Sequence, residues 1–395
     1  MVSPHRLRLF LLTVPSLVLA APAANFVPTT DSNCNCFLTN LTSRSYFSHH
    51  KFFDFRELSQ YVSVPDPINS QEGNANADVT SSYFSSVNWT SAWVIQNWDN
   101  SDKLGTPGVD ATLLKVNSPN NIYIEKNADY ARDRSSTYMT MRTVRHENFQ
   151  SAAEFESLSK NYHFLSMRMK ARTRGAPGAI TSMFTYRPSP DGTLASLQES
   201  DLEVRTMDPR NKISYTNQPA YSEDGETNPK ASENATVGRS SWDDWQYHRM
   251  DWTPGSSSWY VDGVLVASST FQTPRDPSTV LFNVWSDGGS WSGNMTVGAE
   301  AYMQVQWIEM LYNKTDSDVG GGPNTNAAGS CKSVCSVDLG RTIGTPVLVS
   351  NGGQGGQACA AAKYGQCAGK TWNGCIACAG SAECKYQHDY YSQCL

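Results

Sequence analysis

The sequence predicts an all-β protein, and three observations carry that expectation. Apolar and polar residues alternate over short segments: Leu165, Met167, Met169 and Ala171 interleave with Ser166, Arg168, Lys170 and Arg172, the period of a strand with one buried and one wet face. Turn formers are dense, with 28 Gly and 19 Pro in 395 residues, and they punctuate short strands. No stretch sustains a helical period, and no internal repeat stands out. Many short strands separated by turns imply a sandwich or a barrel.

The elements follow in chain order. Residues 1–20 combine a basic start (His5, Arg6, Arg8), an apolar run from Leu9 to Leu19 and small residues at Ala20, Ala21, Ala23 and Ala24. That three-part pattern is expected of an export signal, cut between residues 20 and 24. Residues 25–315 read as one β domain. Within it, Thr137 to Val144 and Met303, Val305 and Trp307 alternate as strands, and Asp262-Gly263 between two apolar runs marks a hairpin. Residues 316–357 are a Gly-rich connector, and 358–395 form a small cysteine-rich module.

The ten cysteines fit export. Cys34, Cys36, Cys331, Cys335, Cys359, Cys367, Cys375, Cys378, Cys384 and Cys394 leave residues 37–330 free of cysteine. Cys331/Cys335 and Cys375/Cys378 have zinc-like spacing. Six cysteines within the last 37 residues and an oxidising compartment make disulfides the expectation. Cys34 and Cys36, two apart on a strand, point oppositely and bridge poorly to each other. They are expected to pair with Cys331 and Cys335 in an order the sequence leaves open. Asn40, Asn88, Asn234, Asn294 and Asn313 each begin an Asn-x-Thr glycosylation triplet. Together these features predict a secreted, extracellular protein.

Composition removes other classes. A net charge of −6 does not suit a partner built of phosphates, whose binding proteins carry basic stripes. No apolar run reaches the roughly 18 residues of a membrane span, so no membrane partner is expected. Eleven Trp and 18 Tyr suit a protein that stacks on sugar rings. The histidines form no metal-ligand pattern, so neither metal nor cofactor is expected. The chain is expected to be a monomer.

The most informative segment is Glu199-Ser-Asp-Leu-Glu-Val-Arg205. On a strand, Glu199, Asp201, Glu203 and Arg205 share one face while Leu202 and Val204 point into the core. Crowded carboxylates push their pKa values apart, so one stays ionised while another keeps its proton. Glycoside hydrolysis needs such a pair. On a straight strand the Cα atoms of Glu199 and Glu203 lie roughly 13 Å apart. A retaining pair needs carboxyl groups about 5–5.5 Å apart and an inverting pair about 6.5–9.5 Å, so spacing alone leaves the stereochemistry open.

Glu199-Ser-Asp-Leu-Glu203 resembles the E-x-D-x-E signature of glycoside hydrolase family 16. The similarity continues in order through Tyr215-Thr-Asn-Gln218, Trp245-Gln-Tyr-His-Arg-Met-Asp-Trp252, Trp259-Tyr-Val-Asp-Gly263 and Asn283-Val-Trp-Ser-Asp-Gly-Gly-Ser-Trp291, and covers most of residues 35–315. It implies a concanavalin-like β-jelly-roll sandwich and a retaining mechanism. In it Glu199 is the nucleophile, Glu203 the acid/base, and Asp201 orients or tunes them. Asn217, Trp285 and Trp291 are expected to bind substrate. Many members insert one residue before the second Glu to form a bulge, and this sequence does not. The unbulged form occurs in the branch holding plant xyloglucan-active enzymes and fungal chitin–glucan transglycosylases. Ser200 stands where an aliphatic residue is common.

Tyr364-Gly-Gln-Cys-Ala-Gly369 and Asp389-Tyr-Tyr-Ser-Gln-Cys-Leu395 resemble the fungal family-one carbohydrate-binding module over residues 359–395. The resemblance implies bridges Cys367–Cys384, Cys378–Cys394 and Cys359–Cys375. It also implies a flat cellulose-binding face of Tyr364, Tyr390 and Tyr391, with Gln393 adding a hydrogen bond. So small a module needs disulfides to hold it. The expectation is therefore a secreted retaining endo-β-glucanase acting on β-1,3- or mixed 1,3/1,4-glucan and targeted to cellulose, or also to chitin. A transglycosylase of the same fold and a non-catalytic glucan-binding lectin are the alternatives.

Overall fold

The computed structural model describes residues 26–39, 45–129, 134–222, 224–238, 241–315, 331–351, 360–361, 364–368, 377–378, 382–388 and 391–395. The expected export signal, Asn40, Cys359, Cys375 and Tyr390 lie outside these residues, as do residues 316–330 and 352–357 of the expected connector.

The larger unit, Pro28–Gly352, is all-β, as the alternation requires. Among the described residues, α-helix is confined to Gln71–Ala75 and Val87–Thr90. The main sheet has one path. It runs Ser232–Thr236, Lys212–Gln218, Gln198–Arg205, Ile180–Arg187, Thr279–Trp285 and Phe149–Ser157, then Thr137–Arg145, Glu300–Lys314, Tyr162–Gly175, Gln246–Thr253, Ser256–Val261 and Val264–Ser269. The first six strands form one layer and the last six a second. One core cluster lies between them, with Met183, Leu202, Tyr215 and Phe282 from the first layer and Met139, Met167, Met250 and Met303 from the second. Inward residues alternate with outward ones along the strands, so the polar residues of each strand fall mainly on the outer face. The result is the predicted β-sandwich.

Cys36–Leu38, Tyr46–Phe47, Ser333–Ser336 and Val347–Asn351 pair in a separate small sheet. Two disulfides hold it, Cys34–Cys335 and Cys36–Cys331, with Cα separations of 5.7 Å each. The structure thus assigns the order left open by the sequence. These bridges span 301 and 295 residues; closing one loop that long contributes roughly 5–6 kcal/mol in the chain-entropy account, and the second, nested bridge adds far less because the first has already closed the loop.

Asn88, Asn234 and Asn294 are exposed. Asn313 is not: it is 3% exposed, and its Oδ1 accepts from the backbone N–H and hydroxyl of Ser48 at 2.9 and 3.0 Å. The fold leaves no room for a glycan there, which corrects the expectation from its triplet.

The terminal unit holds a three-stranded sheet in the order Gln366–Ala368, Tyr391–Cys394, Cys384–His388. Cys367 bridges to Cys384 and Cys378 to Cys394. Buried half-cystines Cys367 and Cys394 are the centre of its small core, where a larger domain would use side chains of Leu or Phe. Tyr364 is 62% exposed, Tyr391 is half-buried, and the Gln393 side-chain amide donates to the Tyr364 carbonyl at 2.8 Å.

Candidate active site

The strand Gln198–Arg205 lies between Ile180–Arg187 and Lys212–Gln218, and its pairing with both is continuous, without a register shift. It therefore has no bulge, and parity is strict. Leu202 and Val204 are buried in the core. Ser200, also inward, is fully buried and donates to Asn217 Oδ1 at 2.8 Å. Glu199, Asp201 and Glu203 take the outer face. Glu199 and Glu203 are half-buried, and Asp201 is 3% exposed.

Register supplies their neighbours. Tyr186, Phe184 and Ser182 stand opposite Glu199, Asp201 and Glu203 on one side. Gln218, Thr216 and Ser214 stand opposite them on the other. Ser182 Oγ donates to Glu203 at 3.4 Å, and the Trp291 indole N–H donates to Glu203 Oε2 at 3.0 Å. The Gln218 amide donates to Asp201 Oδ2 at 3.3 Å. Trp291 is held in turn by Arg205, whose guanidinium lies 4.3 Å over its ring. Arg205 thus stacks on an indole, and among the described residues no cation forms an ion pair with any of the three carboxylates.

Uncompensated, crowded and partly desolvated carboxyls hold protons above the usual range. Glu199 is pushed up to about 8, by burial first and the charge of Glu203 second, while a hydrogen bond with Asp201 pulls it back. Asp201 is raised well above its ordinary value by burial and by both glutamates, and its bond to Glu199 raises it further. The two signs leave the proton of this hydrogen bond on Asp201 once Glu199 ionises, which its raised value places above neutral pH. Glu203 is pushed up to about 7 by burial, against the pull of the Trp291 and Ser182 donors and of the Arg205 charge. Near neutral pH the set therefore mixes protonated and ionised carboxyls, with Glu203 giving up its proton before Glu199 on the substrate-free face, and acid–base and nucleophilic work draws on such a mixed set.

Of the expected substrate residues, Trp285 and Trp291 both join this face. Trp285 is half-buried, two positions from Asn283, which stands opposite Ser182. Asn217 does not join it. It stands opposite Ser200, is fully buried, and its amide donates to the Phe271 carbonyl at 2.9 Å. Asn217 is a core polar residue, and the neighbouring Gln218 takes the outer position expected of it.

Sequence reasoning missed a second group on the same face. Glu154 stands opposite Asn283 and accepts from Trp98 Nε1 at 2.8 Å and Asn283 Nδ2 at 3.3 Å. Lys115 Nζ lies 4.8 Å from the Trp98 ring and 4.7 Å from the Trp285 ring, a cation between two indole faces. The available signal was alternation: Ala153 and Phe155 are core-type residues, so Glu154 and Glu156 had to face outward.

Residues 117–309 match the family of glycosyl hydrolases family 16, and residues 363–391 match the fungal cellulose binding domain. A β-glucanase of Paenibacillus polymyxa is 26% identical over 157 residues, 39% of this chain and 62% of that protein. A β-glucanase of Bacillus licheniformis is 29% identical over 133 residues, 33% and 51% of the two chains. The chain thus spans about half to three-fifths of these relatives' length. The solved structure of a Bacillus licheniformis β-glucanase has a TM-score of 0.43 at 22% identity, covering 57% of this chain and 94% of that one. The terminal segment is 51% identical over 39 residues to exoglucanase 2 of Hypocrea jecorina, 10% of this chain and 8% of that protein. The carboxylate face is therefore part of a glycoside hydrolase family 16 domain, and the chain carries a fungal-type cellulose-binding domain after it.

Proposed function

We propose that the protein is a secreted, retaining endo-β-glucanase that hydrolyses β-1,3- or mixed 1,3/1,4-linked glucan and is held on cellulose by its terminal module. The observation that carries the reading is the outer-face trio Glu199, Asp201 and Glu203, tied by a hydrogen bond between the first two and by the Trp291 donor on the third. Glu199 attacks the anomeric carbon as Glu203 gives its proton to the departing glycosidic oxygen. Glu203 then takes a proton from the incoming water, which releases the sugar from Glu199. Asp201, by donating to Glu199, keeps the nucleophile's charge in place before attack and steadies it as a leaving group afterwards. Trp285 and Trp291 supply ring faces for the sugar, and Tyr364, Tyr390 and Tyr391 do so for the cellulose surface.

The unbulged strand favours a second reading, a transglycosylase in which another sugar replaces water. Both readings are tested by following anomeric configuration and product sizes on a panel of β-glucans, with and without acceptor oligosaccharides. Retained configuration with free reducing ends supports hydrolysis. Elongated products that appear only with acceptor support transfer. Inverted products overturn the double displacement, and binding without turnover leaves a lectin.

A further inference from the structure

The second layer carries a cavity of about 430 Å³ on its outer face, in the size range of small-molecule sites, roughly 300–1,000 Å³. Its floor is a cross-strand row. Arg142 stands opposite Tyr302, and Tyr302 opposite Arg174, with Tyr123 beside them. Residues 64–67 form a wall, tied down where the Pro65 carbonyl accepts from Arg142 Nη1 at 3.0 Å and the Asp66 carbonyl from Asn120 Nδ2 at 2.9 Å.

Arg142 is 3% exposed. Its guanidinium lies 5.3 Å over the Tyr123 ring, and its Nε donates to Asn121 Oδ1 at 3.1 Å. Its Nη2 finds no acceptor among the described residues, an expensive state for a buried charged donor. Arg174 is exposed at the opposite edge. Glu125, Glu300 and Asp66 complete the lining. An anion here would meet three carboxylates, and a cation would meet two guanidiniums. A neutral polyol meets neither penalty: its hydroxyls accept from the guanidiniums and donate to the carboxylates, while a ring face lies on Tyr302.

We propose that this cavity is a second sugar site, distinct from the carboxylate face, for a neutral pyranose unit of a β-linked gluco-oligosaccharide. The neutral-pyranose class follows from the lining; the choice of glucan as its source rests on the function proposed above. Such a site would keep a polymer chain attached while the carboxylate face works on another segment, a gain in effective concentration without new chemistry.

The test uses the full chain and two photoactivatable tetrasaccharides, one β-1,4- and one β-1,3-linked, with peptide mapping after irradiation. Label is expected on the peptides containing residues 64–67 and 300–304, besides the carboxylate face and the module. Arg174→Ala, an exposed change that does not put the fold at stake, and Tyr302→Ala should each cut the cavity label at least fivefold and leave the other labels unchanged. Glucuronate- and glucosamine-ended probes of equal length should label the cavity at least fivefold less. Absence of cavity label at concentrations that mark the carboxylate face overturns the proposal, as do equal labelling of both variants or stronger labelling by a charged probe. Wild-type hydrolysis of glucan is scored separately. Cleavage without cavity label sinks this site alone, and cavity label without cleavage sinks the hydrolase reading alone.

Discussion

Two outer faces of the same sandwich hold buried carboxylates, and they treat them oppositely. On the second layer, Glu309, Arg168 and Arg249 stand in one cross-strand row, and each acid at that row has a cation. Arg168 reaches Glu309 at 2.6 Å and Asp338 at 3.0 Å, Arg249 holds Asp251 at 2.6 and 2.9 Å, and His50 bridges Asp31 and Glu309 at 2.7 and 2.9 Å. On the first layer, Glu199, Asp201 and Glu203 form no ion pair among the described residues; they have neutral donors, one another and the more distant charge of Arg205. A charge that serves only the fold is neutralised by its neighbours. One kept for chemistry is left poised, at a cost in stability. The contrast makes the two faces separable by mutation.

The largest effect is expected from Glu199→Gln and Glu203→Gln. Each should lower turnover by several orders of magnitude, because a two-step displacement needs both groups. Stability should hold or rise, since each change removes a member of a repelling set. Steady-state rates beside thermal unfolding check both halves. Wild-type turnover in both variants would move the site elsewhere, and a marked fall in melting temperature would mean these carboxylates serve the fold. The converse change is Glu309→Gln, which strips His50 and Arg168 of a shared partner. It should cost on the order of 3 kcal/mol while leaving kcat of the folded fraction unchanged, as measured by denaturant unfolding and activity per folded molecule.

Acidity separates the faces further. His50 is raised to about 9 by its two carboxylates against the pull of burial. A raised histidine stabilises the fold fully below its unfolded value of about 6.5, and that contribution is lost as pH rises from there through about 9. Glu199 and Glu203 are also raised, to about 8 and about 7. The fold therefore holds their protons more tightly than the unfolded chain does, and stability falls as pH climbs from about 4.5 through those values. Both faces lose stability with rising pH, over different windows. Stability curves from pH 4 to 10 should flatten between about 4.5 and 8 in Glu199→Gln, and between about 6.5 and 9 in His50→Gln. A Glu199→Gln curve parallel to wild type across its window would contradict the crowding described for that face.

The strand of carboxylates was legible from sequence because its period of two needs no partner: Leu202 and Val204 must face the core, so Glu199, Asp201 and Glu203 cannot. Asn217 was misplaced because the face of a residue on the next strand depends on register, and a one-residue offset exchanges the faces. Glu199 pairs with Gln218, so Asn217 falls opposite Ser200. The Glu154, Trp98 and Lys115 group was invisible for a similar reason. Its members come from segments far apart in sequence, and only strand pairing sets them side by side. The Asn313 triplet misled because a triplet reports local composition and not the burial that Tyr46–Phe47 and Ser48 impose.

The smallest effect sharpens the comparison at one hydrogen bond. Trp291→Phe keeps a ring face for the sugar and removes the N–H that Glu203 accepts at 3.0 Å. That donor favours ionised Glu203, so its loss should raise the acid/base further. Trp291 is 37% exposed, and water replaces part of the lost donor, so the shift should be about half a unit to one unit, or roughly 0.7–1.4 kcal/mol. The acid/base must carry its proton when the glycosidic oxygen departs. The basic limb of the kcat/KM profile should therefore move upward while the acidic limb stays in place. A structural role for the indole would lower the whole profile without displacing either limb. Displacement of the basic limb alone would identify Glu203 as the group that titrates there.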